Sequence, residues 1–180
     1  MSILLETERL LLRTPRAADI SEFVPLINDF DVSRYLSRVP YPYTEDDART
    51  FMERIEKGLK AGNDYVFAIR LKSGAFIGLT GIHPIDSWEF GYWIGKPYWG
   101  QGYATEAGRR AVRYAFEELR ADTVNAGWFH DNPRSGRVLA KLGFVPAGEA
   151  KMNCVSRGCT VNCHRVALDR ATYMTRNMVS

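Results

Sequence analysis

Apolar and polar positions alternate in short runs through the first half of the chain and recur every three or four residues in parts of the second. That pattern predicts a sheet with helices laid against it. Residues 65–71, 75–83 and 88–94 read as three strands, joined through Lys72-Ser73-Gly74 and residues 84–87, links short enough for a meander. Ahead of them, residues 9–13 read as a strand, 17–28 as a helix and 32–36 as a short helix. Thr44 is a good N-cap with Asp47 three residues later, and it opens a helix to about residue 59 that Gly62 ends.

Beyond residue 102 the period changes. Ala104, Ala107, Gly108, Ala111, Ala115 and Leu119 form a small-residue stripe at helical spacing, which lets a helix lie close on a sheet. Arg109, Arg110 and Arg113 lie off that stripe. Residues 123–129 read as a strand, and Asn132-Pro133 opens a helix with Asn as N-cap and Pro at the first helical position, closed by Gly143. Residues 144–147 and 160–168 complete the sheet. A meander followed by strand and helix alternation predicts an α/β (α+β) fold with a mixed, largely antiparallel sheet of about seven strands flanked by helices.

The segment GYWIGKPYWGQGYATEA, residues 91–107, carries the chemistry. A strand runs through a glycine turn into a helix whose first N–H groups have no partner and whose dipole end is positive. Gly100 and Gly102 allow backbone N–H groups to face a phosphate. They also fit a tight strand-to-helix turn that holds no ligand. A dinucleotide fingerprint would need Gly or Ala where Thr105 stands, and a Walker loop would need a Gly-Lys-Ser/Thr triplet that the chain lacks.

The turn resembles motif A of the GNAT acetyltransferases, with Gly102 and Ala104 at its last two positions. Trp99 stands where the superfamily usually has Arg or Gln, and the form YWGQGYATEA resembles the branch of ribosomal-protein N-terminal acetyltransferases. ETERLLLR at residues 6–13, Asn132 and Ser135 followed by KLGF at residues 141–144, and the strand pair around Arg157-Gly158 resemble the same branch in the same order. The resemblance covers about residues 6–173. It implies a GNAT fold whose sheet splays at the cofactor site, and it implies acetyl-CoA as cofactor. Trp93, Ile94, Trp99, Gly100, Gln101, Gly102, Tyr103, Ala104, Thr105, Asn132 and Ser135 would contact it, with the pantetheine arm along Trp93 and Ile94. The thioester would lie near Glu89, Asn132 and Ser135.

Composition agrees with one compact enzyme domain over residues 1–180. The chain is 46% hydrophobic, and 24 basic against 21 acidic residues leave only +3 with no long run of like charge. Neither a nucleic-acid partner nor a membrane span is expected. The absence of a basic, apolar leader predicts a cytoplasmic protein, as a monomer or homodimer. Cys154, Cys159 and Cys163 match no common zinc spacing and read as reduced strand cysteines, so no metal is expected.

Direct acetyl transfer asks that the acceptor amine be neutral, the developing oxyanion be stabilised and the thiolate receive a proton. Many GNAT enzymes supply that proton from a tyrosine, but the position counted back from Gly143 is Leu139. Ser135 resembles the serine that ribosomal-protein acetyltransferases use, and is the candidate acid. It could equally be a serine that only caps its helix. Glu89 is the candidate base, directly or through water, with a salt-bridged structural role as the alternative. Asn132 fits a cap as well as a cofactor contact, while His83 and His130 read as structural.

At pH 7 an α-amine costs about 1 kcal/mol to deprotonate and a lysine roughly 4.6 kcal/mol. The α-amino group of a peptide N-terminus or amino acid is therefore the expected acceptor. Tyr35, Tyr41 and Tyr43 could line its groove or serve as lid packing. An acyl-CoA-binding sensor that has lost turnover, or an enzyme for a small-molecule amine or antibiotic, stays open on these residues.

Overall fold

The computed structural model describes residues 2–85 and 87–177. Eight strands form one sheet: β1 (Leu4–Glu6), β2 (Leu10–Arg13), β3 (Tyr65–Leu71), β4 (Phe76–Pro84), β5 (Trp88–Ile94), β6 (Thr123–Phe129), β7 (Val145–Cys154) and β8 (Cys159–Asp169), in the order β1-β2-β3-β4-β5-β6-β8-β7. Every neighbouring pair is antiparallel except β5 and β6. The meander and the mixed sheet are as the pattern predicts, but the strand count is eight instead of about seven. The extra strand, β1, buries only Leu5, too little to leave an alternation in the sequence. β7 runs seven residues past Ala147 because its side chains are mostly exposed on an edge strand, where pairing with β8 and not burial sets its length.

Helices cover both faces. On one, α1 (Ile20–Ile27) and α3 (Glu45–Ala61) pack Phe23, Ile27, Ala48 and Ile55 on Val66, Leu79 and Trp93. The short α2 (Phe30–Ser33) lies beside them; it begins and ends earlier than the predicted 32–36 because Asp29 caps it by accepting from the Asp31 N–H. α3 starts with the expected reciprocal box, Thr44 Oγ1 accepting from Asp47 N and Asp47 Oδ2 from Thr44 N, and ends at Gly62.

On the other face α4 (Tyr103–Glu117) and α5 (Pro133–Leu142) bury Ala111, Ala115, Phe116, Leu139 and Leu142 against Ile82, Phe90, Val124 and Ala126. A Cβ added at Gly108 would meet Leu142 Cδ1 at 2.7 Å and Phe90 Cζ at 3.2 Å, so this glycine sets how closely α4 lies on β5 and α5. Leu139, which stands where many of the resembling enzymes have a tyrosine, is a core residue. The short α6 (Arg170–Asn177) follows β8 and stacks Tyr173 on Phe116.

Candidate active site

β5 and β6 pair at only two positions, Trp88 with Val124 and Glu89 with Asn125. Beyond Glu89 they part, while β5 stays paired with β4 through Ile94. The Gly95 N–H donates to Ile77 O, which sets the antiparallel alternation: Gly91 and Trp93 turn their backbone groups to β4, and Tyr92 and Ile94 turn theirs to the opening. Part of that edge is already used, since Trp99 Nε1 donates to Ile94 O at 2.6 Å. The side chain of Trp93 is buried on the α1 face, stacked 5.6 Å from Phe23.

The opening leads to the glycine turn. Gly100 and Gly102 take φ values of +76° and +83°, a region closed to most side chains. From Gly100 to Thr105, six consecutive N–H groups find no acceptor among the described residues, and the first bond of the helix is Glu106 N to Gly102 O. All six residues are at least partly exposed, so water or an anion can serve these groups. Gln101 is at the surface, its Nε2 3.3 Å from Pro97 O. The Arg134 guanidinium lies 5.7 Å over the Trp99 ring.

Arg9, the first residue of the strand predicted over residues 9–13, braces this turn. It donates to Gln101 O at 3.0 Å and to Glu106 Oε2 at 2.6 Å, and its guanidinium sits 4.6 Å over the Tyr103 ring. Burial pushes the Glu106 carboxyl up, but hydrogen bonds from Thr7 and Arg9 more than offset it, so Glu106 stays ionised.

At the inner end of the opening, Asn132 caps α5 and Ser135 occupies its first turn, with Ser135 N 3.4 Å from Asn132 Oδ1. The Tyr92 hydroxyl, on β5, donates to Ser135 Oγ at 3.1 Å. Burial pushes the Tyr92 phenol up to about 12, so it keeps its proton at neutral pH and the serine hydrogen is left to point elsewhere. Glu89 accepts both guanidinium nitrogens of Arg165, at 3.1 and 2.8 Å, the salt-bridged arrangement.

A model of the acetyltransferase (GNAT) domain matches residues 9–145. The chain belongs to the GNAT acetyltransferases. An uncharacterised N-acetyltransferase, p20 of Bacillus licheniformis, is 27% identical over 174 residues, spanning 94% of this chain and 97% of that protein. Among solved structures, the ribosomal-protein-S5-alanine acetyltransferase of Vibrio fischeri superposes with a TM-score of 0.80 at 19% identity, covering 93% of this chain and 96% of the other. Mycobacterium smegmatis RimJ, in complex with CoA-disulfide, gives 0.82 at 18%, covering 95% and 88%.

GNAT acetyltransferases take acetyl-CoA as acyl donor, and the residues present fit it. Free N–H groups at the turn suit a pyrophosphate. The open edge of β5 offers main-chain partners to an amide-bearing arm, and a Cβ at Gly100 or Gly102 could be held only with backbone strain.

The three tyrosines named for the acceptor lie apart. Tyr43 is 6% exposed, its ring 5.5 Å from Phe23 and its phenol pushed well up by burial, which is a core position. Tyr41 is 48% exposed and packs on Phe30. Tyr35 lies between the Arg34 and Arg157 guanidinium groups, where the segment after α2 docks on the turn between β7 and β8 through Val155 N to Ser37 O and Arg157 Nε to Arg34 O. Three site features escaped sequence reading: Tyr92, which looked like one more apolar position of β5, and the contacts of Arg9 and Arg165, which join positions 97 and 76 residues apart. Cys154, Cys159 and Cys163 carry free thiols, and among the described residues no cluster suits a metal.

Proposed function

We propose that this GNAT acetyltransferase is a cytoplasmic enzyme that acetylates an α-amino group, that of a protein or peptide N-terminus or of an amino acid. The observation that carries the reading is the state of Glu89. Both of its oxygens are held by Arg165, so the carboxylate is committed to that pair. An α-amine, which needs little help to lose its proton at neutral pH, suits such a site better than a lysine. The named function of the ribosomal-protein relatives supports the same direction.

Acetyl-CoA, when bound, supplies an activated acetyl thioester. The N–H groups of residues 100–105 hold its pyrophosphate, with Trp99, Gln101, Tyr103, Ala104 and Thr105 forming the turn around it. The strand edge at Tyr92 and Ile94 orients its arm, whereas Trp93, named for that contact in the sequence, has its backbone groups turned to β4 and its ring to Phe23. Asn132 fixes the first turn of α5, and Ser135 donates its hydroxyl proton to the departing sulfur. Tyr92 supports that role: by donating to Ser135 Oγ it turns the serine hydrogen outward and stabilises the negative oxygen left behind. Glu89, with Arg165, fixes the inner end of β5 and orders water at the acceptor.

The test is release of CoA thiol with peptides, amino acids and polyamines as acceptors. Preferred turnover of free N-terminal amines is expected; turnover confined to polyamines or lysine side chains would sink the α-amine reading.

A further inference from the structure

Three glycines stand in a row across the middle of the sheet on the α1 face. Gly81 on β4 is paired with Gly91 on β5, and Gly127 on β6 lies two residues past the last β5–β6 pair, as Gly91 does. The row sits where the two strands part: the His83 imidazole lies over Gly81, the Arg165 guanidinium and Cys163 Sγ lie over Gly127, and between them the space over Gly91 stays open at the inner end of the cofactor opening. Two groups border it. The Glu89–Arg165 pair crosses it at Gly127, where an added Cβ would meet Arg165 Nη1 at 3.0 Å. On the opposite side stands His83. Its Nε2 lies 2.7 Å from where a Cβ of Gly81 would be and 3.7 Å from that of Gly91.

His83 is built as an oriented base. Its Nδ1 is 2.7 Å from Asp64 Oδ1, and Asp64 is buried with its other oxygen held by Arg54 at 2.6 Å. A carboxylate oxygen accepting from Nδ1 fixes the tautomer with the proton there, leaving the Nε2 lone pair toward the glycine row. Glu89, the other basic side chain at the row, is already bidentate with Arg165.

Beside the imidazole opens a cleft of about 310 Å³ lined by Arg38, Arg54, Asn63, Asp64 and His83. Two guanidinium groups face one carboxylate there. Arg38 is exposed and makes no hydrogen bond or ion pair among the described residues, so the cleft has a cation to spare.

We propose that His83, oriented by Asp64, takes the proton of the acceptor amine, and that Arg38 selects an acceptor carrying an anionic group next to that amine. This rests on the α-amine reading above and narrows it to acidic N-termini. In the step, the amine lone pair forms the N–C bond while the C–S bond breaks; the proton leaving nitrogen goes to His83 Nε2, and the sulfur takes one from Ser135 Oγ. Afterwards His83 releases its proton to water and Ser135 regains one from it.

The experiment uses the intact protein with peptides beginning Asp or Glu and their Asn or Gln counterparts. H83Q is expected to lose about 100-fold or more in kcat, in the range for a general base, to keep its acetyl-CoA affinity by calorimetry, and to lose the acid limb of the pH profile. In the wild type that limb should stay in place when acceptors of different amine pKa are compared. The charged groups facing His83 are Asp64, Arg54 and Arg38 around the cleft and Glu89 across the strand pair, so D64N is expected to move the limb. R38A, an exposed site where folding is not at issue, should cut the acidic-over-neutral preference in kcat/KM at least tenfold. It should also abolish the preference when the same peptides are titrated calorimetrically into CoA-saturated enzyme. Wild-type kcat and an unchanged limb in H83Q would overturn the base assignment, and an acidic preference that survives R38A would overturn the selection. Failure of the wild type to acetylate any α-amine would instead overturn the reading beneath both.

Discussion

Ser135 is held by two neighbours with different jobs. The Asn132 cap positions its backbone, and the Tyr92 hydroxyl addresses its side chain. S135A should therefore lower kcat about 100-fold, a usual loss for a general acid, while leaving acetyl-CoA affinity within about twofold by calorimetry. Y92F removes only the supporting hydrogen bond and should cost less, about tenfold in kcat, in line with the ~1.5 kcal/mol of one such bond. A serine that merely caps its helix would leave turnover in both variants untouched. At this scale the sequence was partly legible. Ser135, Asn132, Gly100 and Gly102 announce themselves by spacing, because local backbone geometry demands those residue types. Tyr92 and Arg165 do not, since their roles depend on which strands become neighbours and which side chains then meet across them. Tyr43 shows the converse: its surroundings look like a loop in sequence, yet burial against Phe23 takes it out of solvent.

Among the elements, α4 links packing to the donor site. Its first turn carries the free N–H groups and its middle is pressed on Phe90 and Leu142 at Gly108. G108V must push the helix outward or force those side chains aside, and should cost about 1–3 kcal/mol in denaturant unfolding. Acetyl-CoA affinity should fall as well, because the turn rides on the helix. G100A separates the two effects: nothing lies within 4 Å of the new Cβ, so only the strain of φ +76° remains, about 1 kcal/mol. The helices were well marked in sequence where caps and stripes coincide, as at Thr44, Asn132 and Gly143. The strands β1 and β7 were less so, since exposed edge residues carry no hydrophobic period.

Over the whole molecule, the sheet is tied to the first helical segment by a buried charge cluster. Asp19 bonds Arg13 of β2 at 2.6 Å and Arg70 of β3 at 2.9 Å. Burial pushes its carboxyl up, but the hydrogen bonds from Arg13 and the Arg16 N–H, with the charges of Arg13 and Arg70, hold it below its ordinary 3.8. A depressed folded-state pKa contributes stability that is fully present above the unfolded value and is lost as pH falls through the lower, folded one. D19N should thus lower stability at pH 7 by about 3 kcal/mol, leaving the Arg13 guanidinium without its anion and Arg70 with Glu22 alone. It should also flatten the acid side of a plot of unfolding midpoint against pH between 5 and 2.

The open edge of β5 has a further consequence for the protein's life in solution. A strand with free main-chain groups on one side will accept any extended segment that comes by, including the same strand of another copy. A donor laid along Tyr92 and Ile94 closes that edge, so acetyl-CoA guards the enzyme against self-association as well as feeding it. Protein stripped of CoA should aggregate sooner on warming than CoA-saturated protein, and the amides of Tyr92 and Ile94 should exchange with deuterium more slowly once the nucleotide is added. Equal exchange in both states would mean that the edge is sealed by the protein itself.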